Sequence, residues 1–183
     1  GEVFLPGDKS IAHRSVIAAS LTRGRVVIRN FPANNDCLST ISVFKKLGIK
    51  IKQRPGEIIV SGRGLRGLEK FPYPIHAGES GTTLRLMLGV LAGQNFKTRL
   101  IAGGSLSRRP MLRVNKPLRM MGAVINARRI ASDEYPPIII KGGNLKGITY
   151  KMPVASAQVK SAILLAGLNA GGRTRVIEPL ETR

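Results

Sequence analysis

Apolar and polar positions along this chain switch between a helical period and a period of two, and the switch recurs in a fixed order. Helix-period apolar runs open at Ser10-Ile-Ala-His-Arg14, Gly81-Thr-Thr-Leu-Arg85 and Ser156-Ala-Gln-Val-Lys160. Each is followed by a strand-like stretch: Gly24-Arg-Val-Val-Ile28, Phe96-Lys-Thr-Arg-Leu-Ile101 and Gly172-Arg-Thr-Arg-Val-Ile177. The copies stand roughly 74 residues apart. Further helices are predicted to end in glycine at Phe44-Lys-Lys-Leu-Gly48 and Leu118-Arg-Met-Met-Gly122, before Ile49-Lys-Ile51 and Ala123-Val-Ile125. The unit reads β-α-β-α-β-β over about 70 residues, which makes the fold class α/β. Units run roughly 1–70, 71–145 and 146–183, and the third is expected to lack its last 45 to 50 residues or so.

The three helix openings share a chemical pattern as well as a period. Each places a small residue four positions before a cation, and residues i and i+4 lie on one helix face. Backbone N–H groups at a helix start then sit beneath a positive side chain, as an anion site requires. The first copy is the richest: Lys9, Ser10 and Arg14 would surround an anion with an ammonium, a hydroxyl and a guanidinium. A plain helix cap by Asp8 or Ser10, with Arg14 turned to water, is the competing reading. Gly78-Glu-Ser-Gly-Thr-Thr83 is a glycine-bracketed turn, where Gly81 allows a ligand close to the backbone. It has neither Walker nor dinucleotide-fold spacing. Arg108-Arg109-Pro110 precedes another helix, with proline suited to its first turn.

Composition adds a core and a charge problem. With 183 residues, 43% apolar and 4% aromatic, the chain suits helices packed on aliphatic sheet rather than disorder. No run approaches the roughly 18 apolar residues of a membrane span and no leader precedes the first motif, so a cytoplasmic protein is expected. Cys37 is the sole cysteine, which permits no internal disulfide. The formal charge of +20 calls for a polyanionic partner or an acidic counterpart outside the chain. Against nucleic acid, the cations are scattered and the few aromatics do not interleave with them. No metal cluster is visible, since His13 and His76 stand far apart, and no cofactor is expected.

Four motifs, in order, are specific enough to name a family. Leu5-Pro-Gly-Asp-Lys-Ser-Ile-Ala-His-Arg-Ser15, Glu79-Ser-Gly-Thr-Thr-Leu-Arg85, Arg109-Pro-Met111 and Pro153-Val-Ala-Ser-Ala-Gln-Val-Lys-Ser161 resemble the 5-enolpyruvylshikimate-3-phosphate synthases. The last of them resembles the bacterial branch that includes glyphosate-tolerant members. The resemblance covers about the first half of such an enzyme. It implies a transferase of the shikimate pathway, which serves aromatic amino acid biosynthesis. The implied fold is two domains of three β-α-β-α-β-β units each, an inside-out α/β barrel of the enolpyruvyl transferase type. This chain would be the shikimate-3-phosphate-binding domain, with phosphoenolpyruvate entering a cleft that the second, catalytic domain closes.

What the resemblance implies for single residues follows the motifs. Lys9, Ser10 and Arg14 match shikimate-3-phosphate contacts, Lys9 reaching phosphoenolpyruvate as well and sharing in catalysis. Ser156, Ala157 and Gln158 match the segment holding the substrate phosphate and ring, with Gln158 touching both ligands. Gly81 and Arg109 match the phosphoenolpyruvate side, and Arg183 a further shikimate-3-phosphate contact. Glu79 stands where the family usually has asparagine, so it either pairs with a nearby cation or weakens phosphoenolpyruvate binding. Ser105 replaces the arginine of another branch, leaving Arg109 as the anion clamp.

The implied chemistry needs an acid and a base, which in the family lie in the second half, so the chain alone is expected to be inactive. Two alternatives remain at this point. The sister transferase acting on a nucleotide sugar carries a cysteine that the loop from Gly103 to Arg109 lacks. The other is a basic nucleic-acid-binding module. The expected partners are the two small-molecule substrates and the missing C-terminal half, with no nucleic acid and no membrane.

Overall fold

The computed structural model describes residues 2, 3, 5 and 7–180. Its five α-helices are α1 (Lys9–Leu21), α2 (Asn35–Lys46), α3 (Gly81–Ala92), α4 (Leu112–Met120) and α5 (Ala157–Gly167). The first sheet has the order β1-β3-β2, from β1 (Arg23–Arg29), β2 (Lys50–Arg54) and β3 (Glu57–Arg63), all antiparallel. The second has the order β4-β5-β7-β6, from β4 (Ile75–His76), β5 (Lys97–Ile101), β6 (Val124–Ile130) and β7 (Asp133–Lys141). Within it β5-β7-β6 repeats the antiparallel arrangement of β1-β3-β2, and β4 adds a parallel strand. Two short parallel pairs follow: β8 (Leu145–Lys146) with β10 (Ala170–Gly171), and β9 (Thr149–Lys151) with β11 (Arg175–Ile177).

Helix ends fall where local chemistry puts them. α2 and α4 stop before Gly48 and Gly122, whose φ of 87° and 112° only glycine adopts without strain. Asp8, Asn34, Ser80 and Ser156 cap α1, α2, α3 and α5, each accepting a hydrogen bond from a first-turn N–H.

Three expectations need correction. No strand precedes α1 among the described residues, so the first copy there reads α-β-α-β-β. The strand expected over 172–177 is confined to β11, with β10 split off before it. Pro110 lies outside the helix it was expected to start. A 3-10 turn over Gly104–Arg108 intervenes, and α4 begins at Leu112, whose N–H is capped by Asp133 Oδ1 of β7 at 3.1 Å. A cap supplied from 21 positions downstream leaves no local signal.

Burial explains the layering. α3 is apolar almost all round and every residue from Thr83 to Ala92 is buried, so it runs through the middle of the molecule. β7 alternates buried and half-buried positions, setting one face on the core. On β7 itself, Glu134 accepts from Arg119 at 2.8 Å and from Asn115 at 2.7 Å, tying α4 to the sheet. α3 meets α5 closely at Gly89, where a β-carbon would overlap the Ala162 backbone carbonyl.

Gly89→Ala is therefore expected to force α3 and α5 apart. Overpacking of this kind costs about 1–3 kcal/mol, although alanine's better helix propensity returns up to ~1 kcal/mol. At this chain length Tm falls by roughly 2–4 °C per kcal/mol, a shift that calorimetric melting would read directly.

Candidate anion-binding site

The starts of α1, α3 and α5 carry the motifs, and the fold brings them around one cleft of about 630 Å³. Ser10 and Arg14 of α1, Thr82 of α3, and Ala157, Gln158 and Ser161 of α5 line it. Four of these, Ser10, Arg14, Ala157 and Gln158, are residues the sequence singled out. Ser156 stands at the edge as the α5 cap, its Oγ accepting from Val159 N at 3.4 Å. Arg183 lies outside the described residues.

Each helix start is more occupied than an open row of N–H groups. Asp8 Oδ1 accepts from Ile11 N at 2.7 Å and Ser80 Oγ from Thr83 N at 3.1 Å. The cap reading of Asp8 holds, yet Arg14 does not turn to water. Its guanidinium donates to the Ser10 carbonyl at 3.1 Å and to Ser161 Oγ at 2.9 Å, bridging α1 to α5. Lys9 pairs with Asp36 of α2 at 2.9 Å, and that carboxylate raises the ammonium's pKa. Lys160, the third cation of the pattern, pairs with Glu178 at 2.6 Å.

Arg85, the cation of the second copy, is not among the substrate contacts that the resemblance implies, yet the structure ties it to Gln158. It is only 4% exposed, and it donates to Gln158 Oε1 at 2.8 Å while Gln158 Nε2 donates to Thr82 Oγ1 at 3.0 Å. Its Nε is buried without a partner. Burial first, then the charges of Arg113 and Arg109, lower its pKa to about 10, which leaves it cationic at neutral pH. No carboxylate pairs with Arg85, Arg109 or Arg113 among the described residues. The helical pattern placed Arg85 over Gly81, and an arginine inside a run as apolar as Leu84-Arg-Leu-Met-Leu88 was the available signal.

Gly81 is where these cations meet the backbone. A β-carbon there would lie 2.7 Å from Arg85 Nη1 and 3.5 Å from Arg109 Nη1. Arg109 is exposed and its Nη2 approaches Ser105 Oγ at 3.4 Å. Glu79 forms no ion pair among the described residues, so the pairing offered for it is absent. Its carboxylate lies against Gly104, filling the space a side chain there would need. Cys37 is buried, and burial raises its thiol pKa, as for an inert core thiol. Among the described residues no three His, Cys, Asp or Glu side chains are grouped as metal ligands would be, and no helix is long and apolar enough to cross a membrane.

The scaffold and its cleft are those of a repetitive α/β protein with cations gathered at its helix starts. Within that class, the chain belongs to the EPSP synthase family (3-phosphoshikimate 1-carboxyvinyltransferase), which it matches over residues 1–182. It is 49% identical to the 3-phosphoshikimate 1-carboxyvinyltransferase of Bacillus pumilus and 52% identical to that of Thermodesulfovibrio yellowstonii. Each alignment covers 100% of this chain and 42% of the relative, so the chain spans about two fifths of their length. The solved EPSP synthase of Acinetobacter baumannii superposes with a TM-score of 0.96 at 43% identity, over 100% of this chain and 41% of that one. The family and the fold expected from the motifs are the ones found.

His13, between Ser10 and Arg14 on α1, is buried and its pKa falls to about 4. Desolvation dominates; Asp36 opposes it, and Lys9 and Arg14 add to it. The unfolded chain takes up this proton near pH 6.5 and the folded chain only near 4, so stability is lost as pH falls through that window. The full loss is on the order of 3 kcal/mol. Urea denaturation at near-neutral and mildly acidic pH should show the decline, and His13→Asn should flatten it.

Proposed function

We propose that this chain is the shikimate-3-phosphate-binding part of an enzyme that transfers the enolpyruvyl group of phosphoenolpyruvate to shikimate-3-phosphate. The observation that carries the proposal is the unbalanced charge at the head of α3. Burial, and then the charges of Arg113 and Arg109, depress the Arg85 pKa, the Nη1 atoms of Arg85 and Arg109 both lie beside Gly81, and no carboxylate pairs with these arginines among the described residues. Anionic substrates supply that counter-charge, and the two substrates carry phosphate and carboxylate groups on both sides of such a cleft. The family and the identities near 50% support the particular chemistry.

In this reading Arg14, Ser10, Ser156, Ala157 and Gln158 hold shikimate-3-phosphate, with Arg183 as a further contact. Lys9 contacts shikimate-3-phosphate and also reaches phosphoenolpyruvate, which Gly81, Arg109 and Gln158 face, and Arg85 fixes Gln158 by its hydrogen bond. The reaction protonates the enol methylene while a shikimate-3-phosphate hydroxyl attacks the adjacent carbon. The tetrahedral intermediate then loses phosphate and the methyl proton, restoring the double bond in the product. The cations stabilise charge on both reactants. Proton transfer needs further groups, because Asp8 is engaged as a cap and Asp36 holds Lys9. We assign those groups to a C-terminal portion beyond this chain, and a cytoplasmic location to the whole. Neither nucleic acid nor membrane has a part in this reading.

Calorimetry tests the substrate assignment. The 183-residue chain should bind shikimate-3-phosphate weakly, and Arg14→Ala should cost about 1.5–3 kcal/mol of that binding, the range for hydrogen bonds to charged groups. Equal affinity in the variant overturns the assignment.

The same chain, given both substrates, should release no detectable phosphate. Absence of general acid–base groups alone costs about 10² to 10⁴ in rate, and an open cleft loses orientation as well. Turnover abolished by Lys9→Ala would show that the proton-transferring groups lie within these residues.

A further inference from the structure

A line of buried side chains beneath the cleft takes no part in the contacts assigned to substrate. His13 Nδ1 on α1 stands 2.7 Å from Thr40 Oγ1 on α2. Thr40 Oγ1 stands 2.7 Å from Thr83 Oγ1 on α3, and Thr83 Oγ1 stands 2.8 Å from Ser80 Oγ, the cap of that helix. All four residues are buried. The alternative acceptor for Thr83, the Asp36 carbonyl, is farther away at 3.4 Å.

Each hydroxyl has a single proton, so the line takes one direction or the other. The histidine end decides which. The ring is neutral at physiological pH and carries one N–H, and its Nε2 is buried without a partner. A proton on Nε2 would be a buried donor with no acceptor, the rarer kind of orphan in folded proteins. With the proton on Nδ1, His13 donates to Thr40, Thr40 to Thr83 and Thr83 to Ser80.

We propose that His13, Thr40 and Thr83 are positioning residues, a one-way hydrogen-bonded line that fixes the start of α3 against α1 for binding of a phosphorylated ligand. The two helices must hold one relation because they serve the same cleft. α1 brings Ser10 and Arg14 to its lining and α3 brings Thr82, which with the buried Arg85 holds Gln158. This role rests on the assignment of the cleft to shikimate-3-phosphate. Packing alone would require neither the hydroxyls nor a particular tautomer, since valine fills the volume of threonine.

Nitrogen NMR of the 183-residue chain near neutral pH reads the tautomer without any ligand. The Nδ1–H form is expected, and a dominant Nε2–H form overturns the line. Thr40→Val removes the middle hydroxyl. It should shift His13 toward the Nε2–H form and weaken shikimate-3-phosphate binding about threefold to tenfold by calorimetry. Thr40→Ser keeps the hydroxyl and should keep both properties within about twofold. A folded Thr40→Val chain with unchanged affinity overturns the positioning role. Should that variant fail to fold, the tautomer of the unaltered chain still decides the direction, and Thr83→Val, cutting the line one step later, tests the affinity. Failure of the unaltered chain to bind shikimate-3-phosphate counts against the functional assignment alone, because the tautomer measurement stands without ligand.

Discussion

α3 and α5 touch where Gly89 meets the Ala162 backbone, and that contact sets the separation of the two helices one to two turns further up. A side chain of fixed length can join them only at this spacing. Arg85, one turn before Gly89, reaches Gln158 near the start of α5, and Gln158 reaches back to Thr82. α1 is joined to the same pair by Arg14, through Ser161. Because α3 is buried on all sides, its position follows from core packing, and the cleft inherits that rigidity. The site is thus built by helix packing more than by loops.

The second organising influence is charge. Thirty lysines and arginines face ten acidic residues, and most of the cations are simply exposed on strands and helices. The carboxylates near the cleft are spent on structure: Asp8 on a cap, Asp36 on Lys9 and Glu178 on Lys160. What remains around Gly81 are arginines with no paired carboxylate among the described residues, and burial, then the charges of Arg113 and Arg109, lower the Arg85 pKa. A surface arginine would be screened by water. A buried one is not, so its need for an anion is the stronger.

Much of this was legible in the sequence because it is local. Helix starts at Lys9, Gly81 and Ala157, glycine stops at Gly48 and Gly122, and the recurrence of the strand order all follow from short-range pattern. Family motifs then supplied the residues of the cleft. What could not be read depends on partners distant in sequence. Asp36 finds Lys9 across 27 positions, Asp133 caps α4 from 21 positions away, and Arg14 meets Ser161 across 147. The shortening of the last strand to Arg175–Ile177 follows from its pairing with the three-residue β9, again a tertiary effect. Arg85 was visible as part of a pattern. Its burial was not, since an i, i+4 relation gives a helix face but not what covers it.

The unpaired nitrogen of Arg85, buried near the charges of Arg113 and Arg109, couples anion binding beside the start of α3 to folding itself. An anion that settles there completes the charge balance of the interior and binds the folded chain alone, so it adds to stability by mass action. At a concentration one hundred times its Kd, such a ligand contributes about 2.7 kcal/mol. An anion bound there acts as a structural counterion, so the stability of the folded chain rises with the concentration of that anion.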